Sequence, residues 1–172
     1  MAAVLQTTYR DGRDASRLLA YIERDTALRN RFGDAMSDRD VRAFIEKSRR
    51  HMFERDMILS PENGHQLSNE EFSLHTRQIM GEFLEDRPTV DYCYAVHRDT
   101  DHPHVHVALT GERRDLYMDR EDIRDVRALT NERMVEQHRA RTQALDQAVT
   151  QAQEDEQEQA HDRERDRDGW SR

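Results

Sequence analysis

Two stretches, Val90-Asp91-Tyr92-Cys93-Tyr94-Ala95-Val96-His97 and His102-Pro103-His104-Val105-His106-Val107-Ala108-Leu109-Thr110, decide how this chain folds. Each alternates with the two-residue period of a strand whose two faces meet different surroundings. In the first, Val90, Tyr92, Tyr94 and Val96 point one way and Asp91, Cys93, Ala95 and His97 the other; in the second, Val105, Val107 and Leu109 oppose His104, His106 and Ala108. Only the polar segment Arg98 to Asp101 separates them, which predicts an antiparallel pair. One face of that pair is bulky and apolar; the other is made of small residues and histidines.

Working outward from this pair, Val4 to Tyr9 reads as a strand ended by the turn signal Asp11-Gly12. Asp14 then caps a helix expected to run to about Leu28, with Ala15, Leu18, Leu19 and Ile22 on one face. A second helix is expected from Ser37 or Asp38, turning Val41, Phe44 and Ile45 inward. His51 to Ser60 reads as a strand stopped at Pro61-Glu62-Asn63-Gly64. Ser68 with Glu71 three residues later is a capping box, opening a helix to Glu85.

From about Asp119 the pattern is helical and increasingly polar, and beyond Gln151 it is nearly all Gln, Glu, Asp and Arg, the composition of an exposed charged helix or of disorder. The order of elements predicts an α+β fold: a mainly antiparallel central sheet with helices packed on one face, the other face free for chemistry, and a charged C-terminal helical tail. The expected division is a domain over residues 1–128 and a charged helical or disordered tail over 129–172.

A chain of 172 residues is long enough for one domain with a real core. No apolar run approaches the roughly 20 residues of a bilayer span, and Met1 to Arg10 lacks the pattern of a secretory signal, so a cytoplasmic protein without membrane insertion is expected. A single cysteine, Cys93, excludes an internal disulfide framework and a Cys-rich zinc site. The net charge of −9 argues against a protein that coats nucleic acid indiscriminately. That average hides a gradient: residues 1–60 carry 12 basic and 10 acidic side chains, residues 61–111 carry 3 and 9, and residues 112–172 carry 12 and 17. Of the 27 basic residues only Lys47 is a lysine; the others are arginines, which grip phosphate bidentately.

Four of the nine histidines fall between His97 and His106. His104 and His106 project from the same strand face about 7 Å apart along the backbone, and a partner strand ending at His97 would bring a third imidazole to them. Three neutral nitrogen ligands with open positions describe a catalytic metal site rather than a structural one. His102, ahead of Pro103, belongs at the rim. Asp99 is the candidate carboxylate for fixing an imidazole tautomer. His51 and His75 stand alone, and Cys93 reads as a small buried residue.

The run from His97 to His106, with His104-Val105-His106 following Pro103, resembles the histidine motif of the MobA-like mobilisation relaxases, a branch of the HUH endonucleases. The resemblance covers roughly residues 1–111 and implies their palm-type fold. It implies that His97, His104 and His106 bind a divalent ion, manganese or magnesium, that orients the scissile phosphate. Arg17-Leu18-Leu19-Ala20-Tyr21-Ile22-Glu23-Arg24-Asp25 looks like the segment on which that family carries its nucleophilic tyrosine, which would be Tyr21. The partners implied are single-stranded DNA at an origin of transfer, relaxosome accessory proteins and a secretion-system coupling protein.

The residues support that role for Tyr21 in their own terms. On a helical wheel it lies about 110° from the centre of the apolar face, at the rim, with Arg17 and Arg24 on its side to neutralise a phosphate. A phenol becomes a useful nucleophile when its anion is stabilised, which arginines and a divalent ion both do. Tyr9 is the rival, at the end of a strand. Tyr92 and Tyr94 point away from His97, and Tyr117 lies beyond the sheet. Three functions compete: a relaxase forming a 5′-phosphotyrosine and religating the strand, a three-histidine phosphoester hydrolase using activated water, and a metal-stabilised DNA-binding module without catalysis.

Overall fold

A computed structural model of the protein describes residues 3–169. Five strands, β1 (Ala3–Asp11), β2 (Arg29–Asn30), β3 (Phe53–Pro61), β4 (Asp91–His97) and β5 (His104–Thr110), form one sheet in the order β1-β3-β5-β4-β2. Every pairing is antiparallel. The helices are α1 (Ala15–Ile22), α2 (Asp38–His51), α3 (Asn69–Phe83), α4 (Arg113–Leu116), α5 (Arg120–Thr130) and α6 (Gln137–Gly169). The α+β class and the antiparallel sheet are as the sequence predicts.

Local chemistry sets the helix starts. Ser37 and Asp40 cap α2 reciprocally, Ser68 and Glu71 do the same for α3, and Asp119 with Asp122 for α5. The first helix is shorter than expected: α1 ends at Ile22, and after a 3₁₀ turn over Glu23–Asp25 the chain is extended at Thr26. That early exit frees Arg29–Asn30 to pair with Tyr94 and Cys93 as β2, a strand too short for periodicity to reveal.

Helices lie on both faces of the sheet, which corrects the expected one-sided packing. The larger core joins Met57, Leu59, Tyr92, Tyr94, Val105, Val107 and Leu109 to Phe72, Ile79 and Met80 of α3 and Val126 of α5. Tyr94 is fully buried and shares a 2.5 Å hydrogen bond with Ser73. On the opposite face Leu18, Leu19 and Ile22 of α1 and Phe44 of α2 close over Cys93, Ala95 and Ala108. The small side chains of that face, read as leaving room for chemistry, instead let two helices approach closely. His97 and His104 stand at the end of the sheet beyond them.

The packed unit extends to Glu136, past the expected boundary at 128, because Met134 and Val135 of a π-helical turn are buried and Asn63 donates a hydrogen bond to the Met134 carbonyl. Beyond it, α6 is a unit of its own. Residues 139–160 of α6 are exposed, as a helix polar on all sides must be. Among the described residues no helix is long and apolar enough to cross a membrane.

Candidate functional site

Strand register builds the site. His97 and His104 are direct cross-strand partners, and their rings stack with centroids 5.2 Å apart and planes 17° from parallel. His106, one same-face step further along β5, lies opposite Ala95, and its ring centroid is 6.1 Å from that of His97. Tyr21 reaches them from α1. Leu18, Leu19 and Ile22 are buried and anchor the helix, while Tyr21 at its rim is 63% exposed and sets its ring edge-on to His106, centroids 5.9 Å apart at 78°. Tyr21, Arg24, Asp99 and the three histidines line one cavity of about 80 Å³.

The loop between β4 and β5 is fastened along its length. Arg98 donates to Asn69 Oδ1 and to the Leu67 carbonyl, His65 Nε2 lies 2.8 Å from the Asp101 carbonyl, and Thr100 Oγ1 donates to the His102 carbonyl. Gly64 packs against the residue that opens β5: a Cβ there would stand 2.7 Å from the Pro103 carbonyl oxygen. His104 Nδ1 sits 3.0 Å from the His102 carbonyl, a pure acceptor, so Nδ1 carries the proton and Nε2 keeps its lone pair for a ligand.

Asp56 is the residue that sequence reasoning missed. Its Oδ1 accepts a 2.5 Å hydrogen bond from His106 Nε2, and its Oδ2 a 3.0 Å bond from Arg10. Burial by itself would raise this carboxyl's pKa, but the His106 hydrogen bond and charge, followed by those of Arg10, outweigh it and hold the pKa below the usual carboxylate value. When the His106 ring is neutral, an ionised Asp56 places its proton on Nε2 and its lone pair on Nδ1. A signal was present: Glu54-Arg55-Asp56 puts three consecutive charges in a strand whose other residues, Phe53, Met57, Ile58, Leu59, Ser60 and Pro61, are all uncharged. Charges in a central strand persist when they are paired or functional.

Asp99 does not take the role expected of it. Its Oδ1 is 4.0 Å from His97 Nδ1, beyond hydrogen-bond length, whereas its Oδ2 lies 3.4 Å from Arg24. Of the two arginines, Arg24 lines the cavity and Arg17 does not; Arg17 is 3.8 Å from Asp14, with its side chain 88% exposed. Tyr9 sits on the other sheet face, in register with Arg55, whose guanidinium covers its ring at 4.8 Å. Tyr92 donates to the Arg31 carbonyl in a buried setting, and burial raises its pKa to about 12. Cys93 is fully buried in the second core, and that burial pushes its thiol pKa strongly upward.

The donor set suits a divalent cation in kind: three imidazoles on one cavity, two with tautomers fixed by neighbours, and a buried carboxylate behind one. As the side chains stand, among the described residues no group of three His, Cys, Asp or Glu is already arranged to hold a metal ion.

Residues 46–138 match the family model described as "Relaxase: MobA/VirD2-like, nuclease domain", more than half of the chain. That span includes Asp56, His97, Asp99, His104 and His106; Tyr21, Arg17 and Arg24 precede it. No curated protein and no solved structure matches the chain. An antiparallel sheet presenting three histidines at one end, within a span that matches this model, places the chain in the MobA/VirD2-like relaxase nuclease family, whose members nick DNA.

Proposed function

We propose that the protein nicks and rejoins one strand of single-stranded origin-of-transfer DNA in the cytoplasm, with Tyr21 as the nucleophile. The observation that carries this reading is the packing of Tyr21 against His106 at a cavity shared with His97 and His104.

Tyr21 Oη loses its proton and attacks phosphorus in line. The bond from phosphorus to the 3′ oxygen breaks, that oxygen takes up a proton and leaves as a 3′ hydroxyl, and a 5′-phosphotyrosine remains. One phosphodiester replaces another, so the step runs backwards to reseal the strand. Arg24, at the rim of the cavity, offsets charge on the phosphoryl oxygens. His97, His104 and His106 would hold a divalent ion, manganese or magnesium, which when bound supplies Lewis-acid polarisation of the scissile phosphate. Asp56 keeps His106 in the tautomer that offers Nδ1. The partners this reading implies are accessory proteins of the relaxosome and a secretion-system coupling protein.

The test is covalent capture. Wild-type protein incubated with a single-stranded origin oligonucleotide and Mn²⁺ should form an adduct on the DNA 5′ end that survives denaturation. Tyr21→Phe should abolish it at unchanged melting temperature, because Tyr21 is exposed. Cleavage that leaves a free 5′ phosphate would instead indicate a water-activating hydrolase, and an unchanged adduct in Tyr21→Phe would move the nucleophile elsewhere.

A further inference from the structure

We propose that Phe32, on the turn after β2, is a stacking platform for a base of the same single strand, a few nucleotides from the scissile phosphate; this rests on the reading of the histidine cavity as a site for single-stranded DNA. Phe32 is 70% exposed, and nothing in the fold's own packing needs an apolar ring there. The backbone that carries the ring is nevertheless held in place. Asn30 Oδ1 accepts hydrogen bonds from the Phe32 and Asp34 amides at 2.9 and 3.0 Å, Gly33 turns the chain at φ +94°, and Arg77 donates to the Phe32 carbonyl at 3.1 Å. An exposed aromatic fixed by its backbone loses little freedom on stacking.

Three cavities, linked in sequence by shared wall residues, lie between the histidines and Phe32. His97 and Asp99 are shared by the catalytic cavity and a second one of about 190 Å³. Asn69 is shared by that one and a third of about 270 Å³, whose wall includes Phe32, Arg29 and Arg77. Asn30, the last residue before the turn, pairs with Cys93, four residues before His97, so the turn begins about 13 Å along the sheet from the histidines. The polar lining of the third cavity is balanced: Asp34 and Glu70 stand with Arg29 and Arg77. A continuous phosphate track there would meet carboxylates, whereas a base on the Phe32 face would not depend on them. Arg31 lies 5.9 Å from the Phe32 ring centroid and adds a cation to the same platform. A stacked base flanked by an arginine is how proteins hold single strands without reading their sequence.

The experiment is equilibrium fluorescence anisotropy with random-sequence, fluorescein-labelled single-stranded oligonucleotides of about 6 and about 24 nucleotides, on wild type, Phe32→Ala and Phe32→Trp. Phe32→Ala should weaken binding of the longer oligonucleotide about 10-fold, the usual effect of removing one stacked base. Phe32→Trp should restore it, with its indole fluorescence quenched on binding. Equal affinities in wild type and Phe32→Ala for both lengths would overturn the inference, even if the Tyr21 adduct forms normally. Phe32-dependent binding by a protein that forms no adduct with the origin oligonucleotide would keep the platform and refute the catalytic reading. Wild type that binds neither oligonucleotide would refute both.

Discussion

Glu54→Gln should stabilise the protein at alkaline pH by an amount that can be worked out beforehand. Glu54 is fully buried on the sheet face covered by α2; Ser48 donates a 3.1 Å hydrogen bond to its Oε2, and its Oε1 has no hydrogen-bond partner. Burial dominates and raises its pKa from 4.5 to about 7, with Ser48 and Arg10 pulling the other way. A carboxyl whose pKa is raised on folding binds its proton more tightly in the native state, so its contribution is favourable at low pH and is lost as pH rises from 4.5 through about 7. At about 1.4 kcal/mol for each tenfold difference in proton affinity, the ionised group costs about 3 kcal/mol at pH 8 and under about 1 kcal/mol at pH 5. Glutamine copies the protonated form in shape and polarity and never ionises. Urea denaturation at the two pH values should therefore find the variant more stable than wild type by about 3 kcal/mol at pH 8, with most of that difference gone at pH 5. Taking the difference between the two proteins cancels every other titrating group. An equal stability difference at both pH values would refute the claim that folding raises the pKa of Glu54.

Other outcomes follow from the same geometry. Asp56→Asn should reduce Mn²⁺ affinity about 10- to 100-fold by isothermal titration, since the amide can present either end to His106 and no longer fixes its proton on Nε2. Saturating Mn²⁺ should raise the melting temperature of wild type, by about 2.7 kcal/mol of added stability at a hundredfold excess over Kd, and His104→Ala should lose most of that rise. Gly64→Ala should destabilise the fold by about 1–3 kcal/mol in urea, because its Cβ would press on the Pro103 carbonyl, and should also slow nicking by displacing the start of β5.

The fold was legible wherever one residue type repeats at a fixed period against a uniform environment. The alternation in β4 and β5 gave their pairing, their register and the shared face of the histidines, because a one-residue slip would have moved every tyrosine and valine out of the larger core. The capping box at Ser68 needed only local chemistry. The second helical layer was not legible, since Cys93, Ala95 and Ala108 carry too little apolar surface to announce that they are covered. Their smallness has two physical readings, an empty face or a close approach, and α1 and α2 decide it by supplying the bulk themselves.

The site divides along the same line. His97, His104, His106 and Tyr21 could be proposed from the sequence because each belongs to a pattern within a single element or between strands adjacent in the chain. Asp56 belongs to none: it meets His106 only because β3 lies beside β5, with Asp56 opposite Ala108 and the imidazole of His106 reaching across from the neighbouring same-face position. Pairing two strands about 50 residues apart requires the global sheet order, which no local period encodes. Asp99 was chosen in its place because sequence proximity stood in for spatial proximity, yet it sits in a loop whose contacts draw it toward Arg24. A central strand that tolerates Glu54, Arg55 and Asp56 must have a use for each. Arg55 ties β1 and the Leu116 carbonyl to the sheet, Asp56 orients His106, and Glu54, buried between them and α2 with one oxygen unpartnered, is the one whose charge the fold does not stabilise.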